Sequence, residues 1–212
     1  MDRSNDNVTG ADHAGKVVGV YGSAATAPGT TDYAEAVEVG RALAKAGYAV
    51  MTGGYGGAMG AASQGAAEAG GHVIGVTVGL FKERGLVPNP FLKEEVHLPS
   101  LAERLNYLIV KPDAYVALRG GVGTLSEIAL AWSLIQVGEI PSRPLVAVGR
   151  VWREILSPLA TLGVMNPREL ERITFVESGA AVLPALEAWW ANPPAIPLRL
   201  GDVKEPPLLG NE

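Results

Sequence analysis

Short apolar runs that end in glycine-rich turns recur along this chain, and they constrain its fold more than any other feature. Such turns lie at residues 22–23, 53–57 and 120–123, and apolar residues at helical spacing follow the runs. Strands that are apolar throughout are covered on both faces, so the sheet should be mainly parallel with helices on each side. The pattern predicts a doubly wound α/β fold with a ligand site at the carboxyl ends of the strands.

The same periodicity places the individual elements. Strands are predicted at 16–21, 48–52, 72–78, 113–118, 144–148 and 173–176. Helices are predicted at 33–46, 58–69, 100–110, 124–137, 152–162 and 180–191, the third opening on a capping box from Ser100 to Glu103. Residues 79–97 are expected to form an irregular binding loop that carries base selectivity.

Three segments are expected from the distribution of polar residues and prolines. Residues 1–14 form a polar tail, residues 15–192 a single domain, and residues 193–212 a proline-rich arm.

Composition restricts the classes of function. The net charge of −5 gives no basic footprint for nucleic acid, and the absence of cysteine removes thiolate nucleophiles and cysteine metal sites. No signal peptide is visible, and no apolar run approaches the ~20 residues that span a membrane. A cytoplasmic protein without membrane or nucleic-acid partners is therefore expected.

The turn after the fourth predicted strand has the strongest chemical meaning. Its glycines let the backbone approach an anion, and the following helix adds unpaired amides and the positive end of its dipole. The candidate phosphate ligands are Gly120, Gly121, Gly123 and the hydroxyl of Thr124. The alternative is a tight turn in which Thr124 caps the helix through a capping box with Glu127.

Other familiar sites find no support. The sequence lacks the glycine patterns of dinucleotide folds and P-loop enzymes, and it lacks the nucleophile elbow of hydrolases. Its three histidines are far apart and match no metal motif, so no metal and no cofactor are expected. A lysine decarboxylase would need a Schiff-base lysine in a cofactor motif, and no lysine fits. A nicotinamide oxidoreductase is supported only by the similarity of its fold.

Together, residues 53–60, Arg104 and residues 120–127 resemble the Lonely Guy (LOG) family over residues 16–148. The resemblance implies a Rossmann-like fold and a homodimer or higher homo-oligomer. It also implies hydrolysis of AMP-like nucleoside 5′-monophosphates to a free base and ribose 5-phosphate, which in active members includes the release of cytokinin bases. An apolar helix around Ala131, Trp132, Leu134 and Ile135 also motivates the dimer.

The resemblance further implies roles for particular residues. Glu127 is the catalytic carboxylate and Arg104 its cationic partner, while the turn at 120–124 holds the 5′-phosphate. A carboxylate can stabilise the oxocarbenium character at the sugar or activate water, and a guanidinium can orient the carboxylate or bind phosphate. The nucleotide pocket is lined by Gly22, Ser23, Gly53, Gly54, Gly57 and Met59.

Two positions depart from the family pattern. The family's Arg-Lys pair is Arg104-Leu105 here, followed by Asn106, and the family's proline before the glycines is Arg119. Asn106 and Arg119 are therefore added to the candidate substrate-binding residues. The missing lysine leaves open an alternative, a nucleotide or molybdenum-cofactor binding or carrier protein that uses the same pocket without turnover.

Overall fold

A seven-stranded parallel sheet organises residues 15–195, which are the residues that the computed structural model describes. Its strands are β1 Val17–Tyr21, β2 Ala49–Thr52, β3 Val73–Val78, β4 Glu94–Leu98, β5 Ala114–Ala117, β6 Leu145–Val148 and β7 Ile173–Val176. The helices are α1 Thr31–Lys45, α2 Ala58–Glu68, α3 Gly79–Glu83, α4 Leu101–Val110, α5 Val122–Val137, α6 Arg150–Thr161 and α7 Val182–Ala191. Short 3₁₀ helices precede β7 and α7. The predicted tail at 1–14 and residues 196–212 of the predicted arm lie outside the described residues.

The strand order places β1 at the centre of the sheet. The order is β4-β3-β2-β1-β5-β6-β7, and every adjacent pair is parallel. Val18 of β1 lies between Val50 of β2 and Ala114 of β5. Because the chain runs outward in opposite directions from β1, the boundary between β1 and β5 is the topological switch point, where such folds bind ligands. The predicted Rossmann-like, doubly wound α/β fold is confirmed.

Two apolar layers cover the sheet. One packs α1, α2 and α7 against alternate strand residues such as Val116, and the other packs α4, α5 and α6 against the intervening ones, such as Tyr115 and Ala117. Successive side chains of a strand point to opposite faces, so each central strand supplies both layers. This explains the continuously apolar strands in the sequence.

Helices α1 and α2 pack closely because small residues meet at their contact. A Cβ added at Gly40 would overlap the carbonyl of Ala62, and one added at Gly65 would overlap the carbonyl of Val37. The close contact fixes the position of α2 against α1. Because α2 follows directly after the turn at the end of β2, the position of that turn is fixed as well.

The predicted loop at 79–97 is wrong in part. It contains the short helix α3, and it ends in the edge strand β4, which pairs with β3 from Ile74–Glu94 to Val78–Leu98. Strand β4 has one neighbour, so its side chains stay largely exposed and its sequence has no apolar run. Backbone pairing with β3 holds it in the sheet, helped by the partly buried side chains of Val96 and Leu98, which pack against the core.

Two helix starts test the capping predictions. Ser100 caps α4 as predicted, because its hydroxyl accepts a hydrogen bond from the amide of Glu103 at 3.2 Å. Helix α5, however, begins at Val122, with Gly121 at the cap position and no side-chain cap. The alternative of a capping box from Thr124 to Glu127 is therefore wrong, since Thr124 already lies inside the helix.

The residues that motivated a dimer lie mostly in the core. Ala131, Trp132 and Ile135 are buried against the sheet, and Leu134 is half-buried. The outward side of α5 instead exposes Val122 and Val137. The homodimer stays a prediction, but these buried residues do not support it.

Candidate functional site

Three glycine-rich turns meet at the carboxyl ends of β2, β1 and β5. The amide of Ser23, after β1, donates to the carbonyl of Arg119, after β5, at 3.1 Å. The amide of Ala58, after β2, donates to the carbonyl of Ser23 at 2.9 Å. The turn after β1 therefore joins the other two into one surface.

Glycine is required where these turns touch. Gly57 has a φ of +70°, and a side chain there would run into the carbonyl of Ser23. A Cβ at Gly22 would come within 2.7 Å of the Cβ of Ala58. Both substitutions would push the turns apart, so the predicted pocket residues Gly22, Ser23 and Gly57 are first of all what brings the turns together.

The N-terminus of α5 presents unpaired donors. The first amide of this helix to bond within it is that of Leu125, which donates to the carbonyl of Gly121 at 3.0 Å. The amides of Val122, Gly123 and Thr124 precede it, so they have no carbonyl within the helix. These donors and the helix dipole favour a bound anion.

The largely buried side chain of Thr124 adds a hydroxyl to these amides. Thr124 is 3% exposed, and within the described part of the chain its hydroxyl has no hydrogen-bond partner. The hydroxyl lies over Gly120, where a Cβ would overlap it. The hydroxyl oxygen itself is not fully enclosed, so a phosphate oxygen bound at the turn can reach it and act as its partner.

Glu127 lies one helical turn beyond Thr124, on the same side of α5. It is 9% exposed, and burial raises its pKa to about 7, although the charge of Arg104 acts in the opposite direction. Within residues 15–195, no group hydrogen-bonds or ion-pairs to its carboxyl group. The site therefore holds a carboxyl group that exchanges its proton near neutral pH.

Arg104 approaches Glu127 from α4. It is 7% exposed, its Nε donates to the carbonyl of Val76 at 2.7 Å, and its Nη2 donates to the carbonyl of Gly53 at 2.8 Å. Burial lowers the pKa of Arg104, and the charge of Glu127 partly offsets this. The guanidinium thus ties α4 to β3 and to the β2 turn, and no ion-pair contact joins it to Glu127 among the described residues.

Aromatic rings and a thioether enclose the guanidinium. Its central carbon lies 5.7 Å from the ring centre of Tyr55 and 5.6 Å from that of Phe81, within cation–π range. The sulfur of Met59 occupies the space beside Gly53, 2.5 Å from the position that a Cβ would take. These contacts leave Arg104 little freedom to turn toward a phosphate.

Tyr21 and Tyr55 belong to the site although the sequence did not single them out. The hydroxyl of Tyr21 donates to the carbonyl of Leu108 near the end of α4 at 2.5 Å. Burial, and second the charge of Glu127, raise the pKa of Tyr21 above its ordinary value. The hydroxyl of Tyr55 accepts from the amide of Val78 at 2.9 Å and donates to its carbonyl at 3.1 Å. Tyr21 ends an apolar run and Tyr55 lies within the glycine-rich turn at 53–57, and these positions were the available signal.

Gly54 fixes the other side of the β2 turn. Its φ is +80°, and its carbonyl accepts from the amide of Asn89 at 2.9 Å. The Asn89 side chain also donates to the carbonyl of Tyr55 at 3.2 Å. The segment between α3 and β4 is thereby attached to the predicted pocket.

Arg119 and Asn106 lie outside this buried group. The side chain of Arg119 is 72% exposed, and its Nε lies 3.8 Å from the carboxylate of Asp32 in α1. Asn106 is exposed two positions after Arg104, which places it about 200° around the axis of α4. The structure thus brings Arg104 and Glu127 together and places Asn106 on a different side of its helix.

A separate cleft of about 500 Å³ lies against the edge strand β4. It contains none of the predicted site residues, and its lining consists of Lys82, Leu86, Val87, Pro88, Glu95 and His97. The buried hydroxyl of Thr77 donates to Glu95 at 2.6 Å and lies 3.0 Å from Nδ1 of His97. The cleft falls in the segment expected to carry base selectivity, which stays a prediction.

Residues 15–195 contain neither a membrane-spanning helix nor a cluster of metal-ligating side chains. No helix in this range is long and apolar enough to cross a membrane. In the same range, no three His, Asp or Glu side chains are grouped so that they could hold a metal ion.

Comparisons with known proteins find relatives that share this architecture. The model of the SLOG cluster4 family matches residues 15–137. The chain is 32% identical over 152 residues to a Mycobacterium tuberculosis protein named cytokinin riboside 5′-monophosphate phosphoribohydrolase, covering 68% of this chain and 79% of that protein. The protein of the same name from Mycobacterium marinum is 32% identical over 171 residues, covering 76% and 88%.

A solved structure shows the likeness in three dimensions. The molybdenum cofactor binding protein from Rippkaea orientalis superposes with a TM-score of 0.63 at 25% identity, covering 82% of this chain and 96% of that protein. The residues matched by the family model include the three turns that meet at the switch point. The chain therefore belongs to the LOG family, in the group described as the SLOG cluster4 family.

Proposed function

We propose that this protein hydrolyses the N-glycosidic bond of a nucleoside 5′-monophosphate, releasing the base and ribose 5-phosphate. The observation that carries the proposal is a buried carboxyl group without a protein partner, Glu127, one helical turn behind the unpaired donors at the start of α5. The names of the mycobacterial relatives support the same reaction.

The 5′-phosphate is held at the start of α5. Its oxygens accept hydrogen bonds from the amides of Gly123 and Thr124 and from the Thr124 hydroxyl, which otherwise lacks a partner. Gly120 leaves the space in which that hydroxyl lies. The ribose then extends inward along α5, toward Glu127.

Glu127 acts on the bond between the sugar and the base. As that bond breaks, the anomeric carbon gains oxocarbenium character, which the carboxylate stabilises. The carboxylate also takes a proton from the attacking water, so that hydroxide adds to the anomeric carbon and the released base gains a proton. A pKa of about 7 suits a group that must both accept and return a proton at neutral pH.

Arg104 contributes through its charge. Two of its donors are engaged by the carbonyls of Gly53 and Val76, so we assign it to the carboxylate and not to the phosphate. Its positive charge opposes the effect of burial and keeps part of Glu127 ionised at neutral pH. It is a positioning residue for the β2 turn as well.

A second candidate is binding without turnover, as in a nucleotide or molybdenum-cofactor carrier. Two observations favour it: Leu105 stands where the family pattern has lysine, and the structure resembles the Rippkaea orientalis protein. The pocket would be the same in both cases.

Incubation of the purified protein with AMP distinguishes the two candidates. Free adenine, followed by chromatography, supports hydrolysis, and ribose 5-phosphate should appear in equal amount. AMP binding by calorimetry without adenine release would favour the carrier. Neither binding nor release would contradict both.

A further inference from the structure

A ring from the short surface helix α3 covers the guanidinium of Arg104. None of the residues of α3 is buried. The ring centre of Phe81 nevertheless lies 5.6 Å from the central guanidinium carbon. It also lies 5.4 Å from the ring centre of Tyr55, in an edge-to-face arrangement. Phe81 thus connects α3 to the candidate site.

The two rings beside Arg104 are held in different ways. Tyr55 is 3% exposed, and its hydroxyl makes hydrogen bonds with both the amide and the carbonyl of Val78. Phe81 is half-buried and has no polar group to anchor it, and α3 is followed by Gly85 with a φ of +81°. Tyr55 is therefore part of the framework, whereas Phe81 is a cover that a substitution can remove without leaving a polar group unpaired.

The cover matters because Arg104 acts on Glu127 across space. No ion-pair contact joins the two side chains among the described residues, so their interaction depends on the medium between them. Apart from the bonds of Nε and Nη2 to backbone carbonyls, the N–H groups of Arg104 have no partner within residues 15–195. Water that reached them would hydrate the guanidinium, and a higher local dielectric weakens the effect of its charge.

The ionisable groups that act on Glu127 come from two elements. They are Arg104 of α4 and the phenol of Tyr21 of β1. Arg104 in turn faces Glu127 and Tyr55. Lys82, the charged neighbour of Phe81, is exposed and lines the separate cleft at β4. Arg104 is therefore the charge through which Phe81 can affect Glu127.

We propose that Phe81 is a positioning residue for the hydrolysis, because its ring keeps water from Arg104 so that the guanidinium can keep Glu127 ionised. The inference rests on the proposed function for the role of Glu127. Since burial raises the pKa of Glu127 to about 7, any loss of the opposing effect of Arg104 reduces the ionised fraction at neutral pH.

Titration of the Glu127 carboxyl carbon by NMR tests the inference without relying on activity. The protein carries labelled glutamate, and the Glu127 signal is identified by its absence in Glu127→Gln. Phe81→Ala should raise the pKa of Glu127 by about 0.5 to 1, because water then screens Arg104. Phe81→Leu keeps an apolar cover, so the pKa should stay within about 0.2 of wild type. Leu80→Ala is the matched control, since Leu80 lies in the same helix and is 37% exposed; it should change nothing.

The rate of adenine release from AMP gives a second readout. At pH 7, Phe81→Ala should lower kcat by about two- to fivefold, in proportion to the ionised fraction of Glu127, and change KM by no more than about twofold. At pH 9 the carboxyl group is ionised in both proteins, so their rates should be similar. A loss of equal size at both pH values would mean that Phe81 is merely structural, and would overturn the inference.

The two readouts separate this inference from the proposed function. If wild-type protein releases adenine and the pKa of Glu127 is unchanged or falls in Phe81→Ala, the inference is overturned and the proposed function stands. If the pKa rises as expected but wild-type protein releases no adenine, the reaction is contradicted, and the action of Phe81 on Glu127 through Arg104 is still supported.

Discussion

Two helix starts on the same face of the sheet are built in opposite ways. At α4, the hydroxyl of Ser100 accepts the amide of Glu103, and the Glu103 carboxylate accepts the Ser100 hydroxyl at 2.6 Å. At α5, Gly121 offers no side chain, and the hydroxyl of the buried residue Thr124 has no partner in the described chain. The first start satisfies its donors internally, and the second keeps them for a ligand. A hydroxyl residue followed three positions later by glutamate thus stabilises the start of α4, whereas the same pair of residue types near the start of α5 is left free to bind a ligand.

The largest expected effect is on the rate of AMP hydrolysis, and it should distinguish Glu127 of α5 from Glu103 of α4. Glu127→Gln should lower the rate of adenine release from AMP by about 10²- to 10⁴-fold, because the carboxylate can no longer accept a proton. Glu103→Gln, in the capping box of α4, should leave the rate unchanged. The rates are measured by chromatography under saturating AMP. Equal rates in wild type and Glu127→Gln would remove Glu127 from the mechanism.

The pH dependence of stability should reveal the burial of Glu127. Its pKa is raised from 4.5 to about 7 in the folded protein, so the folded state holds a proton that the unfolded state releases. The stabilisation is complete below pH 4.5 and is lost as pH rises to about 7, a change of about 3 kcal/mol. Urea unfolding between pH 4.5 and 8 measures it. The decline should be smaller by that amount in Glu127→Gln, and identical slopes in the two proteins would contradict the assignment.

Removing the hydroxyl at the start of α5 should affect binding and not folding. Thr124→Val keeps the shape of the side chain, so AMP affinity should fall about tenfold while the free energy of unfolding stays within about 1 kcal/mol of wild type. Calorimetry and urea unfolding give the two numbers. Unchanged AMP affinity would mean that the hydroxyl does not meet the phosphate.

At the start of α4, the expected effect is on stability and not on AMP binding, and it is the smallest of those predicted here. Ser100→Ala should lower the free energy of unfolding by about 1 kcal/mol, because the Glu103 amide loses its acceptor. AMP affinity should not change. A loss of affinity comparable to that of Thr124→Val would show that the two helix starts are not independent.

Much of this arrangement follows from local sequence. The glycine-rich turns, the apolar runs before them and the cap at Ser100 depend on neighbouring residues, so the fold and the meeting of the turns could be predicted. Strand β4 could not, because an edge strand needs no apolar run. The start of α5 was misplaced because the spacing of Thr124 and Glu127 matches a capping box, although both side chains turn inward.

The hydrogen bonds of the buried site could not be predicted from neighbouring residues in the sequence. Arg104 meets carbonyls 28 and 51 positions earlier in the chain, at Val76 and Gly53, and these partners exist only once the sheet has formed. In the sequence, Tyr21 is only the last residue of an apolar run. Its hydrogen-bond partner, the carbonyl of Leu108, lies 87 positions later and is identified only by the folded structure. Such contacts depend on the whole topology.

The edges of the sheet have a consequence for solubility during folding. Strand β4 carries Glu94, Glu95 and His97 on a border that would otherwise accept a strand from another molecule. At the opposite border, the guanidinium carbon of Arg153 lies 4.8 Å from the ring centre of Phe175 in β7. Charges at both borders disfavour strand-by-strand growth into fibres, so two copies of this chain should associate through helices and not through a continuous sheet.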